Sequence, residues 1–390
     1  MQSAALRRVL VALAGGTIDP ALDALSPEDW LAMDSMAAEH RLQPLLHYRL
    51  SEDQRVPAEL RKAWHQAYRQ TAMIALVQQA DLAAACQLLE ARGMAPLALK
   101  GAWLARHAYP HPALRPMRDI DLLVAQEDVL PAFAALQEAG YVQPGVAEMT
   151  LEESVRLDKH LPPLLSPRGT VIELHHRLWE PDGRLDHASP KIDEMAVMAR
   201  AVQNGGIRHP APADMLIHLI VHAVYSHRLD CGPLVLPDIA WLLARETIDW
   251  TAFWQQGAAA GWRDGARLVL DLVTRYCPEA QIEFTPQAGP AAPEALLAAA
   301  PDLLLHSLDR RTSARVAAST LKDGPARLRA LVKGERKTRD GPSAVRNMDS
   351  EGGRLGWALS RTWRTLRDLS HGQVRAQSRQ LAELSRWLDR

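Results

Sequence analysis

The sequence predicts an α+β protein, with one small strand-bearing module set inside a largely helical chain. Three observations carry that reading. Apolar positions recur at helical spacing through residues 1–92 and again from residue 211 onward. Between Gly93 and His176 the texture changes to short apolar runs broken by glycine and proline, the pattern of strands and turns. Composition is that of a globular protein: 390 residues, 47% apolar and 23% charged, enough to bury a sizeable core without disulfide staples.

Each element has a local reason. Ser26-Pro27-Glu28-Asp29 combines a capping serine, a proline at the first helical position and acids in the first turn, so a helix starts there. Ala58 to Arg92 reads as one long helix stopped by Gly93, with Leu82, Cys86 and Leu89 at helical spacing. Pro96 to Leu99 reads as a strand turning at Lys100-Gly101. Ala102 to His107 is a short helix, and Tyr109 to Arg118 is a loop holding three prolines. Asp119 to Val124 is a strand, Glu127 to Ala139 an amphipathic helix closed by Gly140, and Tyr141-Val142 opens another strand. Leu161–Leu165 and Thr170–His176 are joined by Ser166-Pro167-Arg168-Gly169, a hairpin signal.

Helices return at Ala211–Tyr225, Pro237–Glu246, Trp250–Ala259 and Asp264–Tyr276. Pro278–Pro293 reads as a proline-rich linker, and Lys333–Gly353 as a polar connector. A last helix, Arg354–Arg390, carries Leu355, Leu359, Trp363 and Leu366 in one stripe. Four regions are expected: an N-terminal helical region 1–92, a strand-bearing core 93–200, a helical region 201–300 and a basic helical tail 301–390.

Several function classes are excluded early. Cys86, Cys231 and Cys277 are far apart and no CxxC pair exists, which removes zinc ribbons and thioredoxin-type redox sites. No GxxxxGK[ST], no GxGxxG after a strand and no GxSxG is present, so P-loop kinase, dinucleotide-binding and α/β-hydrolase readings have no support. No run of about 18 uncharged apolar residues appears, so no transmembrane segment is expected. Arg7 and Arg8 before a brief apolar stretch and Gly15-Gly16 make a poor signal peptide, and cytoplasmic residence is expected. The net charge of −1 hides an asymmetry. Residues 301–390 hold 19 basic and 10 acidic residues, and residues 1–300 hold 26 and 36. The basic tail is a candidate for an anionic partner such as RNA, or a helix with solvated arginines; the acidic body argues against broad duplex binding.

The chemistry concentrates in three short segments. In Arg115-Pro116-Met117-Arg118-Asp119-Ile120-Asp121-Leu122-Leu123-Val124, strand alternation puts Asp119 and Asp121 on one face, with Ile120 and Leu122 toward the core. Two adjacent carboxylates repel unless a cation relieves them, and Mg²⁺ with a phosphate ligand does so. The other reading is a pair of solvated acids on an edge strand. In Leu99-Lys100-Gly101, glycine after a strand lets backbone N–H groups approach a phosphate, and Lys100 can reach its oxygens. In Val171-Ile172-Glu173-Leu174-His175, Glu173 and His175 share a face, so Glu173 supplies a third acid and His175 lines the site. His218 and His222, at i and i+4, read as buried histidines lining the interface with this module, since no HExxH glutamate accompanies them.

Taken in order, Leu99-Lys100-Gly101, Arg115, Asp119 to Val124 and Glu173-Leu174-His175 resemble the "LKG…R…DIDLLV…ELH" series of an uncharacterised bacterial nucleotidyltransferase family within the DNA polymerase β-like superfamily. The helical segments at His218–His222 and Asp238-Ile239-Ala240 are similar to that family too, and the resemblance covers roughly residues 1–280. It implies a mixed-sheet nucleotidyltransferase core flanked by helices. It also implies two Mg²⁺ ions held by Asp119, Asp121 and Glu173, and a nucleoside triphosphate bound with help from Lys100, Gly101, Arg115, Arg118 and His175. NMP would pass to a small-molecule or peptide hydroxyl with release of pyrophosphate. The chain departs from the superfamily at Ala102, where a serine usually follows the glycine. That departure keeps a second expectation open, a protein of this fold that binds a nucleotide, sugar phosphate or peptide without turnover.

Overall fold

The computed structural model describes residues 3–18, 20–145, 149–180, 190–307, 314–315, 318 and 372–389. The N-terminal part is helical throughout: α1 (Ser3–Gly15), α2 (Pro27–Glu39), α3 (Gln43–Leu50) and α4 (Ala58–Glu90). Ser26 caps α2 in a full capping box, its hydroxyl accepting from the Asp29 N–H while the Asp29 carboxylate accepts from the Ser26 N–H at 3.1 Å. The 33 residues of α4 run about 50 Å at 1.5 Å per residue. By length and composition α4 could cross a membrane. In this fold it packs against α3 and α6 and buries Trp64, Leu82, Cys86 and Leu89.

The strand-bearing core is β1 (Leu97–Ala98), α5 (Gly101–His107), β2 (Ile120–Leu123), α6 (Val129–Glu138), α7 (Leu151–Leu157), β3 (Leu164–Leu165) and β4 (Val171–His175). The sheet order is β1-β2-β4-β3. β2 and β4 are parallel, with Asp121 opposite Glu173 and Leu123 opposite His175, while β1 and β3 run antiparallel on the two edges. The mixed sheet therefore agrees with expectation. Ile120, Leu122, Ile172 and Leu174 are fully buried on its covered face.

Two differences have simple causes. Tyr141-Val142 forms only a single bridge, Val142 to Leu165, because β3 is two residues long and offers no further partner. An additional hairpin, β5 (Val202–Asn204) and β6 (Ile207–His209), turns on Gly205-Gly206, whose φ values of 56° and 81° only glycine adopts without strain.

The C-terminal helices are α8 (Glu194–Ala199), α9 (Pro212–Val221), α10 (Val235–Arg245), α11 (Trp250–Ala260), α12 (Arg263–Tyr276) and α13 (Glu294–Leu304). α9 does not continue as an α-helix to Tyr225; it runs into a π-turn over His222–Ser226. The proline-rich stretch 278–293 is a packed strap. The Trp254 indole donates to the Glu283 carbonyl at 2.9 Å, Arg267 donates to the Gly289 carbonyl at 2.8 Å, and its guanidinium lies 4.2 Å from the Phe284 ring centre. The expected connector 333–353 and the stripe Leu355–Leu366 lie outside the described residues. Helix α14 (Gly372–Leu388) packs on α13 and buries Val374, Leu381 and Leu384.

Candidate active site

The sheet brings the three expected segments together. β2 and β4 are neighbours in parallel register, so Asp121 and Glu173 stand side by side on the opposite face, with His175 two residues further along β4. Ligand atoms of Asp121, Glu173 and His175 all lie within 4.8 Å of one another. Asp119 sits just before β2 and feels both Asp121 and Glu173. The grouping differs slightly from the expected one. His175, expected to line the site, is within ligand reach of the acids, and Asp119 stands just outside that cluster.

The charges are tightly balanced. Lys100 Nζ lies 3.0 Å from Asp121 Oδ2, and His175 Nε2 lies 2.8 Å from Asp121 Oδ1, so both oxygens of Asp121 are engaged. Burial alone would raise the Asp121 carboxyl, but Lys100 and His175 outweigh it and hold the group well below the usual carboxylate range. Burial, together with the negative charges of Asp121 and Glu173, pushes Asp119 up to about 7. Burial opposes the charge on His175, yet Asp121 and Glu173 overcome it and raise its pKa. Such a crowd of acids is what a divalent cation would neutralise. A set of carboxylate oxygens with one imidazole nitrogen suits Mg²⁺ or Mn²⁺.

Lys100 carries a backbone cost. Its φ of 45° and ψ of −125° belong to the region favoured by glycine, and it leads directly into α5. Gly101 is needed for a different reason. A Cβ there would approach Met117 to 3.0 Å, so the glycine admits the 115–117 loop over the start of α5.

Arg115 is committed elsewhere. Its Nε donates to Asp238 Oδ1 at 2.6 Å, and its Nη1 to the Pro116 carbonyl at 3.0 Å, which ties the loop to α10. Tyr109 donates to the same Asp238 oxygen. In this geometry Arg115 fixes the wall of the site rather than facing a ligand. Arg118 is exposed at the rim.

Three residues reach the site without a local sequence signal. Arg41, at the turn after α2 with φ of 58°, lies near Arg118, Arg115 and Asp119; burial and those arginines lower its pKa to about 10. His160 faces Glu173 at 3.8 Å and His175 at 5.0 Å between ring centres. His218, on α9, is buried and close enough to feel Lys100, His175 and Asp121.

The profile of a family described as an uncharacterised nucleotidyltransferase matches residues 26–278, from the cap of α2 to the end of α12. No curated protein and no solved structure matches the chain. The match spans every residue of the acid cluster and well over half of the sequence. The chain therefore belongs to this nucleotidyltransferase family.

Proposed function

We propose that the protein transfers NMP from a nucleoside triphosphate to a hydroxyl-bearing acceptor in a Mg²⁺-dependent reaction. The observation that carries this reading is the convergence of Asp121, Glu173 and His175 within 4.8 Å, beside Asp119 and Lys100, in a nucleotidyltransferase family member. Asp119, Asp121 and Glu173 would hold the metal, with His175 at its edge. The bound metal would supply positive charge to the triphosphate.

The residues of the chain do the rest. Lys100 leaves Asp121 and pairs with phosphate oxygens. Glu173 accepts the proton of the acceptor hydroxyl as its oxygen bonds to the α-phosphorus; the bond from that phosphorus to the bridging oxygen breaks, and pyrophosphate leaves with the electron pair. Arg118 and Arg41 add positive charge at the rim. The expected contacts of Gly101 with phosphate are not part of this proposal, because Met117 covers that glycine.

A second reading has its own support. Both oxygens of Asp121 are occupied by Lys100 and His175, and Ala102 stands where a serine would touch a triphosphate. That arrangement favours a fold that binds a nucleotide without turning it over. Thermal melting with each of the four NTPs, with and without Mg²⁺ or Mn²⁺, combined with a pyrophosphate assay, separates the two. Metal-dependent stabilisation with pyrophosphate release supports transfer. Stabilisation without release supports binding alone, and no stabilisation by any NTP dismisses both.

A further inference from the structure

Behind α9 lies a cavity of about 250 Å³. It is larger than the roughly 30 Å³ share of one water and smaller than the roughly 300–1,000 Å³ of drug-sized sites. Leu178, Ile217, His218 and Trp262 form its buried inner wall, and Lys191 and Arg200 stand at its mouth.

Two features of the inner wall point to an occupant. Both ring nitrogens of His218 and the indole Nε1 of Trp262 are buried and have no hydrogen-bond partner among the described residues. Left so, each is a desolvated polar group with nothing to offset its burial. Burial keeps the His218 ring neutral, so it offers one donor and one acceptor, and the indole adds a second donor. A hydroxyl, which both donates and accepts, complements that wall. Charge does not. Arg200 is spent on Asp214 through hydrogen bonds of 3.0 and 2.8 Å, and among the described residues no unpaired cation lies on the inner wall to receive a phosphate. Leu178 and Ile217 provide apolar surface for the C–H face of a ring.

The position matters as much as the lining. His218 is both a wall of this cavity and a neighbour of Lys100, His175 and Asp121. We infer that the cavity is the acceptor pocket and that it takes an uncharged, polyhydroxylated molecule of monosaccharide or cyclitol size, with His218 as the positioning residue that turns one hydroxyl toward the acid cluster. This rests on the nucleotidyl-transfer reading for the acceptor role; occupancy of the cavity stands independently. A nucleic-acid end would bring phosphate charge that the inner wall does not meet.

The test uses methyl glucoside and myo-inositol as probes, and glucose 6-phosphate as the charged control, in ligand-observed saturation-transfer NMR on the full chain. Transfer to the two neutral probes and a much weaker response from the phosphate are expected. Ala196→Trp, placed on α8 at the cavity wall, should abolish the transfer. His218→Phe keeps the ring and removes its nitrogens, and should weaken affinity about tenfold. Stabilisation by Mg·ATP should survive in Ala196→Trp, which also reports that it folds, and an unchanged melting curve reports the fold of His218→Phe. A neutral probe should stimulate pyrophosphate release in the wild type and fail to do so in Ala196→Trp. The inference is overturned if the wild type shows no transfer, if Ala196→Trp leaves transfer intact, or if the phosphorylated sugar binds equally well. Binding without any stimulation removes the acceptor role alone. Loss of Mg·ATP stabilisation in Asp121→Asn reports on the nucleotide site, so failure there is distinguishable from failure of the cavity.

Discussion

At Asp121 the Lys100 ammonium and the His175 imidazole meet. Lys100 and His175 engage both oxygens of its carboxylate, so a metal bound there would displace at least one of them. Asp119→Asn or Asp121→Asn should lower metal-dependent pyrophosphate release by at least about a hundredfold, since charge stabilisation by a bound metal is worth several kcal/mol. Unchanged melting curves would show that the fold survives. Lys100→Gly should be more stable than Lys100→Ala by about 1 kcal/mol, because both lose the ammonium and only the glycine relaxes the backbone; equal urea midpoints would refute the strain. The acids were legible in the sequence because strand alternation is a local rule. The backbone of Lys100 was not, since nothing in Leu99-Lys100-Gly101 announces a positive φ. The bond from Arg115 to Asp238 was not legible for a related reason, since the two are 123 residues apart and no local pattern links them.

His40 supplies a pH test away from the acids. Burial pushes its pKa down to about 4, below the 6.5 of a free imidazole. Between those values the unfolded chain takes up a proton that the folded chain refuses, so stability falls as pH drops from about 6.5 toward 4. His40→Met should flatten the fall of melting temperature over that window; an unchanged slope would assign the effect to other groups.

Among the elements, α4 and the β3–β4 turn are joined by one buried carboxylate. Asp81 accepts from the Ser166 hydroxyl at 2.9 Å, from the Thr170 hydroxyl, and from Arg168 Nε at 2.8 Å. The turn therefore hangs on the long helix, and β4, which carries Glu173 and His175, inherits its position from α4. Asp81→Ala strands the two hydroxyls and should destabilise the protein by about 1–3 kcal/mol, read as a lower urea midpoint. If the turn also positions β4, metal affinity should drop in the same variant. The hairpin itself was visible in Ser166-Pro167-Arg168-Gly169, but its anchor, more than 80 residues upstream, was not. The proline-rich stretch 278–293 was misleading in the opposite sense. Proline content signals irregular backbone, and it is silent on whether that backbone packs, as it does here under Trp254 and Arg267.

Among the described residues the larger of two apolar clusters extends from Leu6 on α1 to Leu384 on α14 and draws on all four regions expected from sequence, while a smaller one joins Leu97, Leu99, Leu123, Leu178 and Val197. We propose that function divides less sharply, with the acid cluster in 93–200 and the acceptor pocket built jointly by 93–200 and 201–300. α14 is held to α13 through Leu381, Leu384 and the Gln377 side chain, which donates to the Asp302 carbonyl at 3.3 Å. A chain ending at His306 should melt at a lower temperature and still be stabilised by Mg·ATP. Loss of that stabilisation would show that the nucleotide site needs the basic segment. If the same truncation removes a salt-sensitive affinity for RNA, the anionic partner suggested by the charge asymmetry gains support.

The placement of α1 also sets an order of assembly. Its buried face, Leu6, Leu10 and Leu13, is covered by α10, α12 and α13, the last of which begins only at Glu294. A ribosome adding about 5–20 residues per second makes the first helix roughly 15–60 s before that cover exists. During that interval part of the apolar stripe of nascent α1 lacks its final cover, and the protein cannot complete its fold until most of its length has been synthesised.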